Sequence, residues 1–183
     1  TRKESSAASD VYKRQGMVMT NFKETNYSLI SKKLASLIED ENNLIAILSN
    51  TSALLKDTMA QVNWVGFYLI EDNELILGPF QGHPACVYIA IDKGVCGTAV
   101  LENKTQRVGD VHHFPGHIAC DTNSKSEIVI PLNVNGKMIG VLDIDAPIVN
   151  RFSQEDQDGL ENIVHIVETV SYTHLTLPTT PYV

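Results

Sequence analysis

Three cysteines are the complete cysteine complement of this chain, and Cys86, Cys96 and Cys120 all fall in one central window. Each lies in glycine- or proline-rich sequence. Cys86 ends the segment GPFQGHPAC, Cys96 sits inside GVCG, and Cys120 ends FPGHIAC just before Asp121. A cysteine that only fills core space usually sits among apolar residues. A cysteine in bent backbone beside a histidine is placed to react or to bind. An odd count argues against a static disulfide framework, whereas three thiols provide one nucleophile and two candidates to resolve it. The residues therefore point to thiol redox chemistry.

Carboxylates and aromatics supply further chemistry. Asp143 and Asp145 finish the apolar run Met138-Ile139-Gly140-Val141-Leu142 and face the same way, roughly 6–7 Å apart along a strand. Two acids at the end of a buried strand bind a cation, share a proton or hold an amine; the plain alternative is a solvated strand end. Glu127 adds a third acid. Trp64 and Tyr68 share a face, about 13 Å apart on an ideal strand, and Gly66 between them leaves room for a ligand. Ordinary sheet core is the alternative for both rings.

Those residues need elements to position them. Apolar residues from Asn26 to Met59 recur at helical spacing with a break near Asp40, which predicts two helices. Asn63 to Ile70 predicts a strand that turns at Glu71-Asp72-Asn73 into Glu74 to Leu77. A short helix follows over Gly94 to Asn103. Glu127 to Val134 and Lys137 to Asp145 form a hairpin about Asn135-Gly136. Ser153-Gln154-Glu155-Asp156 caps a last helix. The sum is an α+β domain: an antiparallel sheet with N- and C-terminal helices packed on it. A strict two-residue turn at Asn135-Gly136 would set Glu127 opposite Ile144, on the wrong face for Asp143 and Asp145. A bulge or longer loop, near Pro131 for example, would shift the pairing by one.

The bulk numbers fit one domain. The chain has 183 residues, 43% hydrophobic and 20% charged, with a net charge of −8. So acidic a balance disfavours a nucleic-acid or anionic-membrane partner. No apolar run approaches a membrane span, and residues 1–16 carry no signal-peptide core, so the expected location is the cytoplasm. Residues 1–16 and the threonine- and proline-rich stretch 171–183 are expected to be a non-native or disordered leader and tail flanking a domain over 17–170.

Six segments in order then resemble one family: Asn63-Trp64-Val65-Gly66-Phe67-Tyr68, GPFQGHPAC, GVCG, DVHHFPGHIACD, SEIVIP and GVLDIDAP. Together they resemble the free methionine-(R)-sulfoxide reductases, enzymes built on a GAF domain. The resemblance covers about Asn21 to Val170 and implies a GAF-like sheet of about six strands. It implies reduction of free L-methionine (R)-S-oxide to L-methionine through a cysteine sulfenic acid and an intramolecular disulfide. Thioredoxin is the implied reductant, no metal or cofactor is implied, and a homodimer is compatible with it.

Sulfoxide reduction needs a soft nucleophile at sulfur, a proton donor for oxygen and an apolar slot for the methyl group. The resemblance makes Cys120 the nucleophile and favours Cys96 over Cys86 as the resolving cysteine. Glycines on both sides of Cys96 suit the movement a disulfide needs, while Cys86 sits behind Pro84 on a stiffer segment. His117, if protonated, would favour the Cys120 thiolate, and Asp121 would oppose it. The resemblance assigns Glu127 and Asp145 to the sulfoxide oxygen and Asp143 to the substrate amine, with Trp64 and Tyr68 as walls. Backbone N–H groups of the Gly116–Cys120 turn are available for the substrate carboxylate. Two rivals stand beside this reading: a sensory GAF module, and a zinc site of the three cysteines with His117 or His83, against which the irregular spacing argues.

Overall fold

The computed structural model of this chain describes residues 24–118 and 120–175. Asn26 starts helix α1 (Tyr27–Ile38), its side chain accepting from the Leu29 N–H. Asn43 starts α2 (Leu44–Thr58) in the same way through the Ala46 N–H. Such caps satisfy N–H groups that no preceding turn can reach. The break between the helices falls where the periodicity placed it. Then come β1 (Trp64–Glu71), β2 (Glu74–Gln81), β3 (Tyr88–Ala90), α3 (Gly94–Glu102), β4 (Gln106–Val108), β5 (Ser126–Val134), β6 (Lys137–Ala146) and α4 (Gln154–Leu175).

The six strands make one antiparallel sheet in the order β3-β2-β1-β6-β5-β4. This is the α+β architecture expected. Two tight hairpins organise it. Asp72 and Asn73 join β1 to β2, and Asn135 and Gly136 join β5 to β6, all four with positive φ. Paired positive φ angles give the turn whose twist matches that of the strands, which is why Asn-Gly is a hairpin signal. The edge strands β3 and β4 have three residues each, too few to show an alternating pattern in sequence.

Both faces of the sheet are covered. Val65, Phe67, Ile130, Leu142 and Ile144 pack under α1, α2 and α4, against Leu34, Leu48 and Leu160. Trp64, Tyr68, Val129 and Val141 point the other way, under α3 with its Val95, Cys96 and Ala99. Double coverage explains why the central strands read as nearly continuous apolar runs. It also makes the polar residues on the α3 face conspicuous.

Helix α4 opens on a reciprocal cap. The Ser153 hydroxyl accepts from the Asp156 N–H (3.1 Å), and Asp156 Oδ2 accepts from the Ser153 N–H (2.9 Å). The helix then runs through Leu175, and Ser171 is buried, so the expected tail over 171–183 begins inside the folded domain. Residues 176–183 of that tail and the leader expected over 1–16 lie outside the described residues. Among the described residues, no helix is long and apolar enough to cross a membrane.

Candidate active site

Strand register assembles the acids. Trp64 stands opposite Asp145 on β6, and Asp145 stands opposite Glu127 on β5. Two residues back along β6, Asp143 faces Gly66 on one side and Val129 on the other. Directly opposed residues of antiparallel strands project to one face. Glu127, Asp143 and Asp145 therefore emerge together beside Trp64 and Tyr68.

Glu127 reaches that face through an irregularity. The Asn135-Gly136 turn is strict, with Val134 opposite Lys137 and Asn133 opposite Met138, yet Leu132 stands opposite Gly140. Ile139 is the extra residue, and from there to Ala146 the pairing is shifted by one. Gly140 fits this place because a Cβ there would run into the Tyr68 carbonyl oxygen of β1. A one-residue shift was among the alternatives the sequence allowed.

The aromatic wall is tighter than an ideal strand suggests. The Trp64 ring stacks against Tyr68 at 5.9 Å between centroids and against Phe80 at 5.3 Å. A Cβ on Gly66 would collide with Phe80 and with the Trp64 ring. The space expected at Gly66 is thus filled by the tryptophan, not left for a ligand. Both rings also hold the β2–β3 loop. Trp64 Nε1–H donates to the His83 carbonyl (3.1 Å), and the Tyr68 hydroxyl donates to the Cys86 carbonyl (2.9 Å).

That loop delivers Cys86 to Cys120. The two are joined as a disulfide with their α-carbons 5.4 Å apart. The preference for Cys96 as the disulfide partner is corrected here, because Cys96 is free and buried in the first turn of α3. Its glycine neighbours answer local needs of the backbone and packing. Gly94 takes a positive φ to enter the helix, and a Cβ on Gly97 would strike the Ala90 carbonyl oxygen. With two sulfurs bonded to each other, the three-cysteine zinc arrangement is not formed in this structure.

The loop carrying Cys120 is clamped to the sheet. Asn63 Nδ2 donates to Asp121 Oδ2 (3.0 Å) and to the Ser124 hydroxyl (3.2 Å). The backbone N–H of Asn63 donates to the Asp145 carbonyl (3.0 Å), and Ser124 hydrogen-bonds the Asp145 carboxylate. In the Gly116–Cys120 turn, the N–H groups of His117 and Cys120 are already spent on the carbonyls of Phe114 and Ile118. These two amides are therefore not free to receive a carboxylate.

One pocket is lined by Trp64, Tyr68, Cys96, Cys120, Glu127, Asp143 and Asp145, so it gathers every expected site residue except Cys86. Cys86 stands just outside, bonded to Cys120. Lys93, Ile89, Val95, Ser124 and Ile118 also line it and were not singled out in the sequence. Asn63 and Ser124 lay within or beside quoted segments, but a side chain that clamps a distant loop has no sequence period to mark it.

Burial dominates the electrostatics. It raises the Glu127 carboxyl well above the usual range, and the nearby Asp143 and Asp145 charges add to the rise. Asp145 is raised by burial and then by Asp143. Asp143 is pushed up to about 6 by burial, moderated by hydrogen bonds with Glu127 and Cys96. Such a trio is a proton reservoir near neutrality. Burial, reinforced by the same acids, also raises the Cys96 thiol. Burial and the neighbouring His112 lower His117, which weakens its case as a cationic activator of Cys120.

Known proteins share this fold. The GAF domain family matches residues 43–170. The free methionine-R-sulfoxide reductase of Escherichia coli is 51% identical over 144 residues, spanning 79% of this chain and 87% of that protein. The reduced form of fRMsr from Staphylococcus aureus superposes with a TM-score of 0.81 at 66% identity, covering 84% of this chain and 99% of that one. The same protein in complex with its substrate gives a TM-score of 0.80 at 65% identity, over 83% and 99% of the two chains. With the GAF fold, the cysteine pair and the acid trio in place, this chain belongs to the free methionine-(R)-sulfoxide reductase family of GAF-domain proteins.

Proposed function

We propose that this chain reduces free L-methionine (R)-S-oxide to L-methionine, with Cys120 as nucleophile and Cys86 as the cysteine that resolves it. The single observation that carries the reading is the pocket in which one sulfur of a disulfide meets three buried acids and an aromatic wall. Relatives named for this activity support it.

In the reduced protein the Cys120 thiolate attacks the sulfoxide sulfur while Glu127 or Asp145 donates a proton to the oxygen. Oxygen passes to the Cys120 sulfur, methionine leaves, and the cysteine becomes a sulfenic acid. The Cys86 thiol then attacks that sulfenic sulfur, water departs, and the Cys86–Cys120 disulfide forms. An external dithiol of the thioredoxin type returns two electrons and two protons. A reducing compartment such as the cytoplasm suits this cycle.

Raised carboxyls are suited to the proton-donor role, because an acid ionised at neutral pH has no proton to give. Asp143 takes the substrate ammonium, and its Oδ1, buried without a hydrogen-bond partner, supports that assignment. Trp64 and Tyr68 flank the S-methyl group. Cys96 stays a protonated thiol in the pocket wall.

The test is methionine release, followed by chromatography, from the free R and S epimers and from a peptide containing methionine sulfoxide. Turnover confined to the free R epimer is expected. Comparable turnover of the peptide would overturn the reading, since a peptide offers neither charged terminus at that residue.

A further inference from the structure

Cys96 takes no part in the disulfide, yet its surroundings are not those of a filler thiol. Its sulfur, a Glu127 carboxylate oxygen and an Asp143 carboxylate oxygen all lie within 4.8 Å of one another, and all three residues are buried. They come from three elements, α3, β5 and β6, so the fold and not the sequence brings them together. Cys96 Sγ is 3.9 Å from Glu127 Oε1. Asp143 is only 6% exposed, and its Oδ1 has no hydrogen-bond partner. A buried polar atom in that condition is destabilising until something satisfies it.

We propose that this cluster binds a thiophilic divalent cation of the Zn2+ or Cd2+ class, and that the bound cation inhibits by filling the pocket. Zn–S and Zn–O bonds of about 2.3 Å and 2.0–2.2 Å place the donors of a tetrahedral site roughly 3.4–3.6 Å apart. The three atoms already approach that separation, so side-chain adjustments suffice to close it. One thiolate with two carboxylates suits a borderline cation. Ca2+ and Mg2+ take six or more oxygen donors and are disfavoured here. The open fourth position faces the pocket, which supplies both a water ligand and an entry path. On binding, the cation displaces the Cys96 thiol proton and the protons held by the Glu127 and Asp143 carboxyls into solvent, and no redox change occurs. That the cation also excludes the substrate rests on the function proposed above; the binding itself does not.

The disulfide form gives a clean test, because Cys96 is then the one thiol among three cysteines. The oxidised protein is titrated with Cd2+ while the thiolate-to-cadmium charge-transfer absorbance is followed in the ultraviolet. The expected result is a saturable 1:1 band that Zn2+ competes away and that Cys96→Ser removes. Glu127→Gln and Asp143→Asn should each weaken the apparent affinity at least tenfold. Retention of the Cys86–Cys120 disulfide, checked by thiol titration, reports that each variant is folded. Absence of the band, or a band equally tight in both carboxylate variants, overturns the site. A band on a protein that does not turn over methionine sulfoxide would leave the site standing and remove the reductase reading instead.

Discussion

Glu127 stands directly opposite Asp145 across the β5–β6 ladder, because Ile139 bulges out of the pairing. If Ile139 took a regular place in the ladder, Glu127 would pair with Ile144 and point into the core beneath α1, α2 and α4. A buried acid among Leu34, Leu48 and Leu160 would be strongly destabilising unless paired. On the other face the same carboxyl joins Asp143 and Asp145 in the pocket, where we propose it as a proton donor. Deleting Ile139 closes the bulge but keeps Leu132 opposite Gly140 and Glu127 opposite Asp145, so activity is expected to survive the deletion in a steady-state assay, and its loss would show that the bulge does more than set this pairing.

The cysteines should separate cleanly in single-turnover assays. Cys120→Ser releases no methionine. Cys86→Ser releases one methionine per enzyme and then stalls for lack of a resolving thiol. Cys96→Ser still forms the Cys86–Cys120 disulfide, measured as two thiols lost on adding substrate. A burst from Cys120→Ser would assign the nucleophile elsewhere.

The acids should divide by kinetic parameter. Glu127→Gln or Asp145→Asn removes a proposed proton donor and should lower kcat by about 10²–10⁴-fold, with KM little changed. Asp143→Asn removes the proposed charge-assisted contact to the amine. It should raise KM by roughly ten- to a hundredfold, as a loss of about 1.5–3 kcal/mol of uniform binding implies. Steady-state kinetics on the three variants decides this, and equal kcat losses in all three would defeat the division.

Asn63→Ala should loosen the loop that carries Cys120. It leaves Asp121 and Ser124 without their shared donor, at a cost of about 1–3 kcal/mol. The rate of disulfide formation after a single turnover should fall more than the rate of methionine release, which rapid chemical quenching resolves.

Asp143 gives stability a definite pH dependence. Its folded-state pKa is about 6 against an ordinary 3.8, so the folded protein holds the proton more tightly than the unfolded chain. That contribution is complete below 3.8 and is lost as pH rises through about 6. The Tm difference between the parent protein and Asp143→Asn, taken by calorimetry across this range, should shift towards the variant as pH rises. A flat difference would mean that Asp143 has the same pKa in the folded and unfolded chain.

Much of the fold is legible in the sequence alone. Helical spacing marks α1 and α2 with their break, Asn135-Gly136 marks the hairpin, and Ser153 with Asp156 marks the start of α4. These are local signals, written in residues that touch their near neighbours. Trp64, Tyr68, Asp143 and Asp145 declare their shared faces because side chains alternate along a strand. Glu127 does not, since its side of the sheet depends on a one-residue irregularity that no local residue type compels. The disulfide partner is equally hidden. Glycines beside Cys96 read as freedom to move, whereas in the fold Gly97 packs against backbone and Trp64 and Tyr68 hold the Cys86 loop in reach of Cys120. Residue types set the chemistry available to this chain; long-range register and packing decided which of those residues meet.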